Sequence, residues 1–256
     1  MTNGYGSFAA FYDALTDDVD YAAWADYLLA AVTRHGGCAD TVLDLCCGSG
    51  SLSLELAQRG CDVIGVDGSA DMLAVAREKA AETEADILFL CQDMRQLDLY
   101  GTVDTAVCML DSLSHILHTD DLREIFRRLG LFIAPDGLLI FDVNTPYKHA
   151  HVLGDNAFVF EREEFLCAWR NRYIPATHEV EMALDFFLEE EDGSYTRYTD
   201  TVRERAYSLQ TWNNLLTEAG FDLLGVYDER RFADPAEDAQ RWVLVARNRA
   251  IGQKNM

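Results

Sequence analysis

Two glycines and one acid carry the first chemical signal in this chain. The stretch VLDLCCGSGSLSLELAQRG, Val42 to Gly60, passes from apolar residues through Cys46 and Cys47 into Gly48 and Gly50, then into a second apolar segment. Asp67 lies 19 residues beyond Gly48. In a doubly wound α/β sheet, ligands sit beyond the carboxyl ends of the strands, and the first strand-to-helix turn passes beneath them. Glycine at that turn allows backbone angles and a close approach that a Cβ forbids. A carboxylate at the tip of the next strand can accept both hydroxyls of a ribose, each charge-assisted bond contributing about 1.5–3 kcal/mol. The pattern points to a nucleoside-containing ligand. It departs from the dinucleotide fingerprint, whose third glycine falls on Ser53, and this counts against NAD.

The elements that must position these residues are legible as alternating texture. Short apolar runs at Thr41 to Leu45, Asp62 to Val66, Ile87 to Leu90, Thr102 to Met109 and Leu138 to Val143 read as strands. Helical patterns at Ser51 to Gln58, Ala70 to Glu82 and Asp120 to Leu131 separate them. Apolar strands divided by helices predict a mostly parallel sheet covered on both faces. After Val143 the period changes. Val180, Met182, Leu184, Phe186 and Leu188 alternate strictly, Asp192-Gly193 marks a turn, and Tyr195 to Ala206 is rich in β-formers. With Phe165 to Tyr173 as a third strand, these predict a small antiparallel meander. The first texture then returns, with a helix at Leu209 to Ala219 and strands at Phe221 to Asp228 and Arg241 to Arg247.

The expected fold is therefore α/β, a doubly wound, mostly parallel seven-stranded Rossmann-like sheet with an inserted antiparallel β-meander. Residues 38–145 and 207–248 form the ligand-binding domain, 146–206 the inserted lid, 1–37 a helical segment covering the site, and 249–256 a tail.

Composition narrows the function classes. The charge sum of 21 basic and 44 acidic residues, −23, repels phosphate backbones, and no basic stripe offsets it, so nucleic acid is not an expected partner. The apolar runs fall short of a membrane span, and Met1 to Phe8 lacks a basic leader, so neither membrane nor secretion is expected. Seven cysteines without C-x-x-C spacing suit a reducing cytoplasm. His149, His151 and His178 lack the i, i+4 spacing of a zinc motif, and no metal is expected.

Five motifs in order resemble the class I S-adenosylmethionine-dependent methyltransferases, in their small-molecule branch. VLDLCCGSG resembles the first, matching at Asp44, Gly48 and Gly50, with Cys46 where glycine is common. VIGVDGSADMLAVAREK is similar to the second, with Asp67 as the ribose acid, followed by Gly68, and Met72 near the adenine. FLCQDM resembles the third, where Asp93 would accept the adenine amino group and Met94 contribute its amide or an apolar contact. VDTAVCMLDSLSHI places Leu110, Asp111 and Ser112 beneath the sulfonium, and LFIAPDGLLIFDVNTP completes the order. The resemblance implies S-adenosyl-L-methionine as cofactor and a small-molecule methyl acceptor. An amine of an amino acid or amino sugar is the first expectation, and a carboxylate or hydroxyl the second. An NAD-dependent oxidoreductase and a non-catalytic nucleoside-binding protein are the other classes. A homodimer is compatible with this reading.

Methyl transfer from a sulfonium is an in-line displacement. Orientation can supply roughly 7–11 kcal/mol, against near 3–5 kcal/mol for a general base. No diagnostic triad is therefore required. His115 and Tyr12 are the candidate helping residues, and Tyr12, Tyr21 and Trp24 are candidate walls of the donor pocket. Arg170, Arg172, Arg203 and Arg205 are expected to pair with Glu179, Glu181 and Asp185 across the inserted sheet.

Overall fold

The computed structural model describes residues 13–162 and 165–249. Helix α1 (Tyr21–Arg34) opens on Asp20, whose Oδ1 accepts the Ala23 N–H at 2.9 Å. The first half of the α/β unit follows as β1 (Thr41–Leu45), α2 (Ser51–Gln58), β2 (Asp62–Asp67), α3 (Ala70–Glu82) and β3 (Ile87–Cys91). Then come β4 (Val103–Cys108), α4 (Thr119–Phe132) and β5 (Ile133–Asn144). A π-helical turn (Lys148–Leu153) leads into β6 (Ala157–Glu161), β7 (Leu166–Ile174), β8 (Glu179–Glu189) and β9 (Tyr195–Arg205). Helix α5 (Leu209–Glu218), β10 (Phe221–Asp228) and β11 (Arg241–Asn248) close the fold.

Seven strands form one sheet in the order β10-β11-β5-β4-β1-β2-β3. Six of them point the same way, and β11 runs antiparallel between its neighbours β5 and β10. The alternation of side chains along each strand feeds two cores, one per face. On β5, Leu139, Phe141 and Val143 enter the core shared with α4 and α5, while Leu138 and Ile140 enter the one shared with α1 and α2. Phe141 and Trp212 meet at 5.5 Å between ring centroids and Phe126 and Phe141 at 5.7 Å, all three fully buried. Each such side chain contributes about 1.5–3 kcal/mol by leaving water.

The strand order brings β1 beside both β2 and β4. The loops after β1, β2 and β4 therefore converge at the carboxyl edge, where the chain reverses direction across the sheet. Glycine closes the helices that return the chain: Gly60 and Gly220, both at φ 90°, follow α2 and α5.

Two expectations are revised. The fifth strand begins at Ile133 rather than Leu138, because Ile133 pairs with Val103 ahead of a register shift and Leu138 resumes the pairing at Thr105. The bend between them puts Asp136 at φ 66°, and a Cβ on Gly137 would meet the Asp104 carbonyl oxygen at 2.6 Å. The inserted sheet has four strands, β6-β7-β8-β9, rather than three. Its extra strand is five residues long and pairs on one side only, with β7, so little of its sequence reports burial.

The inner face of this sheet packs Phe165, Cys167, Leu184 and Phe186 against Ala14 and Leu15 of the N-terminal segment. Arg162 adds bonds to the Ala14 carbonyl at 3.0 Å and to Asp17 at 2.8 Å. On the other face, Arg170 and Arg197 both bind Asp185, and Arg172 and Arg203 both bind Glu181. Arg205 departs from the expected pairing: it donates to the Leu117 carbonyl at 2.9 Å and lies over the Tyr207 ring.

Candidate active site

The chain leaves β1 through Cys46, Gly48 and Gly50, with φ of 61°, 54° and 77°. Three left-handed residues within five turn the loop back on itself, so the Gly48 N–H donates to Asp67 Oδ2 at 2.9 Å. Asp67 Oδ1 accepts the Ser69 N–H at 2.8 Å. The carboxylate is thus held between the glycine loop and the start of α3. Burial pushes Asp67 above the ordinary carboxylate value, while the N–H groups of Ser69, Gly48 and Gly68 pull the other way. A Cβ on Gly50 would meet Ala76 Cβ at 2.9 Å, so this glycine also permits close packing against α3. Cys46 takes the small left-handed region open to L-residues at a cost of about 1–2 kcal/mol. A hydrogen bond with Cys108 and burial raise its thiol well above the usual value, and burial does the same for Cys47. Both thiols are therefore held in their unreactive form.

A narrow cleft beside this loop is lined by Tyr21, Asp44, Cys46, Ser49, Met109 and Leu110. Asp44 is 2% exposed, and Ser53, fully buried, donates its hydroxyl to Asp44 Oδ2 at 2.6 Å. Burial raises the Asp44 carboxyl to about 7, and no described cation offsets it. The N-terminal segment reaches this loop. Lys79 Nζ bonds Ser49 Oγ at 3.1 Å, Ser51 Oγ at 2.9 Å and Asp13 Oδ2 at 2.6 Å, and Ser49 in turn donates to Asp13.

Beyond β4, Leu110 and Asp111 both lie at positive φ, 56° and 55°. Asp111 is clamped by Arg241 at 2.9 Å and by the Asn144 amide at 2.8 Å, and Arg241 also binds the buried Asp142. Burial works to raise the Asp111 carboxyl, but Arg241, Lys148 and His115 together carry it well below the carboxylate range. Asn144 also donates to Glu204 of the inserted sheet at 2.7 Å, and His149 Nε2 lies 3.2 Å from the same carboxylate. Ser112 donates to the Met109 carbonyl at 2.8 Å. His115 follows one turn later, with its ring about one-third exposed and Nε2 3.9 Å from Glu204 Oε1.

The remaining sequence candidates divide by position. Met72 is 3% exposed in the first turn of α3, its N–H received by Ser69 Oγ at 3.2 Å, and Gly68 sits at the tip of β2. Asp93 and Met94 follow β3, beside that tip, and Gln92 N–H donates to the Asp67 carbonyl at 3.0 Å. The Asp93 carboxylate is held below its ordinary value by hydrogen bonds from Arg95, so it already has a partner. Trp24 does not line the cleft: it is 5% exposed, edge-on to Tyr27 at 5.9 Å and covered by Arg230 at 5.6 Å. Tyr21, the first residue of α1, is the one that reaches the cleft. Tyr12 lies outside the described residues.

Sequence reasoning missed Ser53, Asn144, Asp142, Arg241 and Glu204. Ser53 carried a signal, since it occupies the place of the absent third glycine, and from the first turn of α2 it reaches back to Asp44 on β1. The other four are brought together by the register of β5 against β11, where Arg241 pairs with Asn144, and by the placement of β9.

A family model for a methyltransferase domain matches residues 42–137. A protein of Geobacillus sp. (strain WCH70) assigned to the methyltransferases is 34% identical over 244 residues, spanning 95% of this chain and 99% of that one. A glycine/sarcosine N-methyltransferase of Halorhodospira halochloris is 30% identical over 235 residues, covering 88% of this chain and 84% of its own. The crystal structure of an S-adenosylmethionine-dependent methyltransferase from Clostridium acetobutylicum superposes with a TM-score of 0.86 at 29% identity, over 96% of this chain and 100% of that one. A relative so similar along nearly the whole length, a shared fold, and a glycine loop joined to a strand-tip acid lead to one conclusion: this chain belongs to the class I S-adenosylmethionine-dependent methyltransferases.

Proposed function

We propose that this enzyme methylates the amine of a small molecule, an amino acid or an amino sugar. The observation that carries the proposal is the acidic cluster at the tips of β4 and β5, where the three carboxylates of Asp111, Asp142 and Glu204 gather around two cations, Arg241 and Lys148. Acidic walls suit an acceptor that arrives as an ammonium. The glycine/sarcosine enzyme, 30% identical over most of this chain, adds support for nitrogen over oxygen.

The residues present fit the donor by the chemistry of their side chains. Asp67 offers a carboxylate at the edge of β2 for the ribose hydroxyls, and Gly48 leaves the backbone bare beside it. Asp44 is a buried carboxyl with no cation of its own among the described residues, suited to the ammonium of the donor's methionine end. Leu110 and Ser112, after β4, would stand at the sulfonium end, and Met72, Gly68, Asp93 and Met94 would flank the adenine. When bound, the donor supplies an electrophilic methyl group on positively charged sulfur.

The chain's own part is orientation. The Asp111 clamp to Arg241 and Asn144 fixes the loop after β4, and Asp13 and Arg162 tie the N-terminal segment to α3 and to the inserted sheet, which together would cover the bound donor. Holding the nucleophile in line with the carbon–sulfur bond is the larger contribution. His115 stands within reach as a proton acceptor.

A direct test supplies S-adenosylmethionine with amino acids, nucleotide-linked amino sugars, phenols and small carboxylates, and measures S-adenosylhomocysteine release. Amines are expected to turn over. Release with phenols or carboxylates alone would contradict the nitrogen reading, and binding of the donor without any turnover would favour a sensor.

A further inference from the structure

The network at the tips of β4 and β5 leaves one carboxylate oxygen unused. Glu204, delivered by β9 of the inserted sheet, has a side chain only 5% exposed. Its Oε2 is engaged on two sides, by the Asn144 amide at 2.7 Å and by His149 Nε2 at 3.2 Å. His149 is anchored in turn, its Nδ1 lying 3.0 Å from the His178 carbonyl. Oε1 receives no hydrogen bond from any described residue and faces His115 Nε2 across 3.9 Å. That separation is too long for a hydrogen bond. It is the right width for one polar atom set about 2.8 Å from each end. The His115 ring is also incomplete on its other side, where Nδ1 is buried without a partner among the described residues.

The occupant follows from the charges around the gap. Arg241 is spent on Asp111 and Asp142, and Lys148 Nζ on Asn144 Oδ1 at 2.8 Å. No described lysine or arginine lies within ion-pair distance of Glu204. An ammonium nitrogen satisfies the gap best, because it donates to the carboxylate, donates to a neutral imidazole, and keeps a third hydrogen or substituent directed away. The position is coupled to the donor side, since the Asn144 amide that holds Glu204 also holds Asp111, next to Leu110 in the cleft wall.

We propose that Glu204 and His115 form the subsite for the acceptor nitrogen, with Glu204 binding the ammonium and His115 removing its proton. The inference rests on the amine reading above. In the step, R–NH₃⁺ passes one proton to neutral His115 and becomes R–NH₂. The nitrogen lone pair then forms the new N–C bond, the C–S bond breaks, and its electron pair stays on sulfur as a neutral thioether. The product leaves as R–NH₂⁺–CH₃, and His115, partly exposed, returns its proton to solvent.

The test uses the full chain saturated with S-adenosylhomocysteine. Methylammonium is titrated while the His115 ring is followed by proton–carbon NMR, its signal assigned with His115→Gln. The wild-type signal is expected to shift saturably. Glu204→Gln keeps an oxygen for Asn144 and His149 but loses the charge, and is expected to weaken methylammonium by about tenfold or more with homocysteine-adduct affinity unchanged. Binding measured calorimetrically in His115→Gln, which leaves the anchors of Glu204 intact, is expected to weaken likewise and keeps the test valid if the first variant folds poorly. The proposal is overturned if methylammonium leaves the His115 signal unmoved, or if it binds the variants as tightly as the wild type. Equal amine turnover by wild type and Glu204→Gln would sink this subsite alone, whereas turnover only with oxygen acceptors would sink the amine reading.

Discussion

Asp44 and the paired cysteines set the chemistry of the glycine loop at the scale of single residues. The Asp44 carboxyl, raised by burial to about 7, binds its proton more tightly in the folded chain than in the unfolded one. The sign of the linkage follows: between about pH 4 and 7 the folded state holds the extra proton, so this group's stabilisation is complete below that window and lost as pH rises through it. The loss is on the order of 4 kcal/mol. Asp44→Asn keeps the acceptor for Ser53 and removes the titration, so its melting temperature should gain on the wild type's between pH 5 and 8. A constant difference across that range would contradict the assignment. The same ionisation should make S-adenosylhomocysteine bind the wild type more tightly as pH rises toward 8. Alkylation offers a second check at this scale: exposed Cys38 and Cys91 should react before Cys46, Cys47 and Cys108 in the native protein, read by peptide mass spectrometry. These contacts were only partly open to a reader of the sequence. Gly48, Gly50 and Asp67 announce themselves because a tight turn and a strand-tip acid need those residue types, whereas Ser53 stands out only as the missing third glycine, and its bond to Asp44 shows only once β1 and α2 are placed together.

Strands and their registers explain what the sequence left hidden. The strict alternation in β8 and the turn at Gly193 made the inserted sheet legible, because one face of it is buried and the other is charged. Nothing local, however, tells that Glu204, near the end of β9, rises over Asn144 of β5, since that depends on how two sheets meet. The same holds for Arg241, the first residue of β11, which the antiparallel register lays beside Asn144 and so against Asp111 and Asp142. Trp24 shows the opposite error: its aromatic ring suggested a pocket wall, but the face of α1 that carries it belongs to the core. Removing Arg241 would strand two carboxylates, one of them fully buried. Arg241→Ala should therefore destabilise the protein by about 3–5 kcal/mol, measurable by urea unfolding, and an effect below about 1 kcal/mol would mean the clamp is solvated. Packing makes a parallel demand on the element level, and Phe141→Ala, at the meeting of three buried rings, should cost about 3–5 kcal/mol.

Taken as a whole molecule, the fold was the most legible part, because alternating apolar strands and amphipathic helices leave few ways to cover a parallel sheet on both faces. Charge acts at this scale too. With 44 acidic residues against 21 basic ones, the folded chain repels itself, and moderate salt should raise its melting temperature by screening. A fall on adding sodium chloride would show that local ion pairs, such as those of Asp185 and Glu181, outweigh the long-range field. The claim on which everything else stands is that Asp67 and the glycine loop hold the donor's nucleoside between them. Isothermal calorimetry with S-adenosylhomocysteine on the wild type and on Asp67→Ala, with NAD as the comparison ligand, tests it most directly. The expected result is tight binding of S-adenosylhomocysteine alone, weakened in the variant by about 1.5–3 kcal/mol, and an unchanged affinity in the variant, or a preference for NAD, would contradict it.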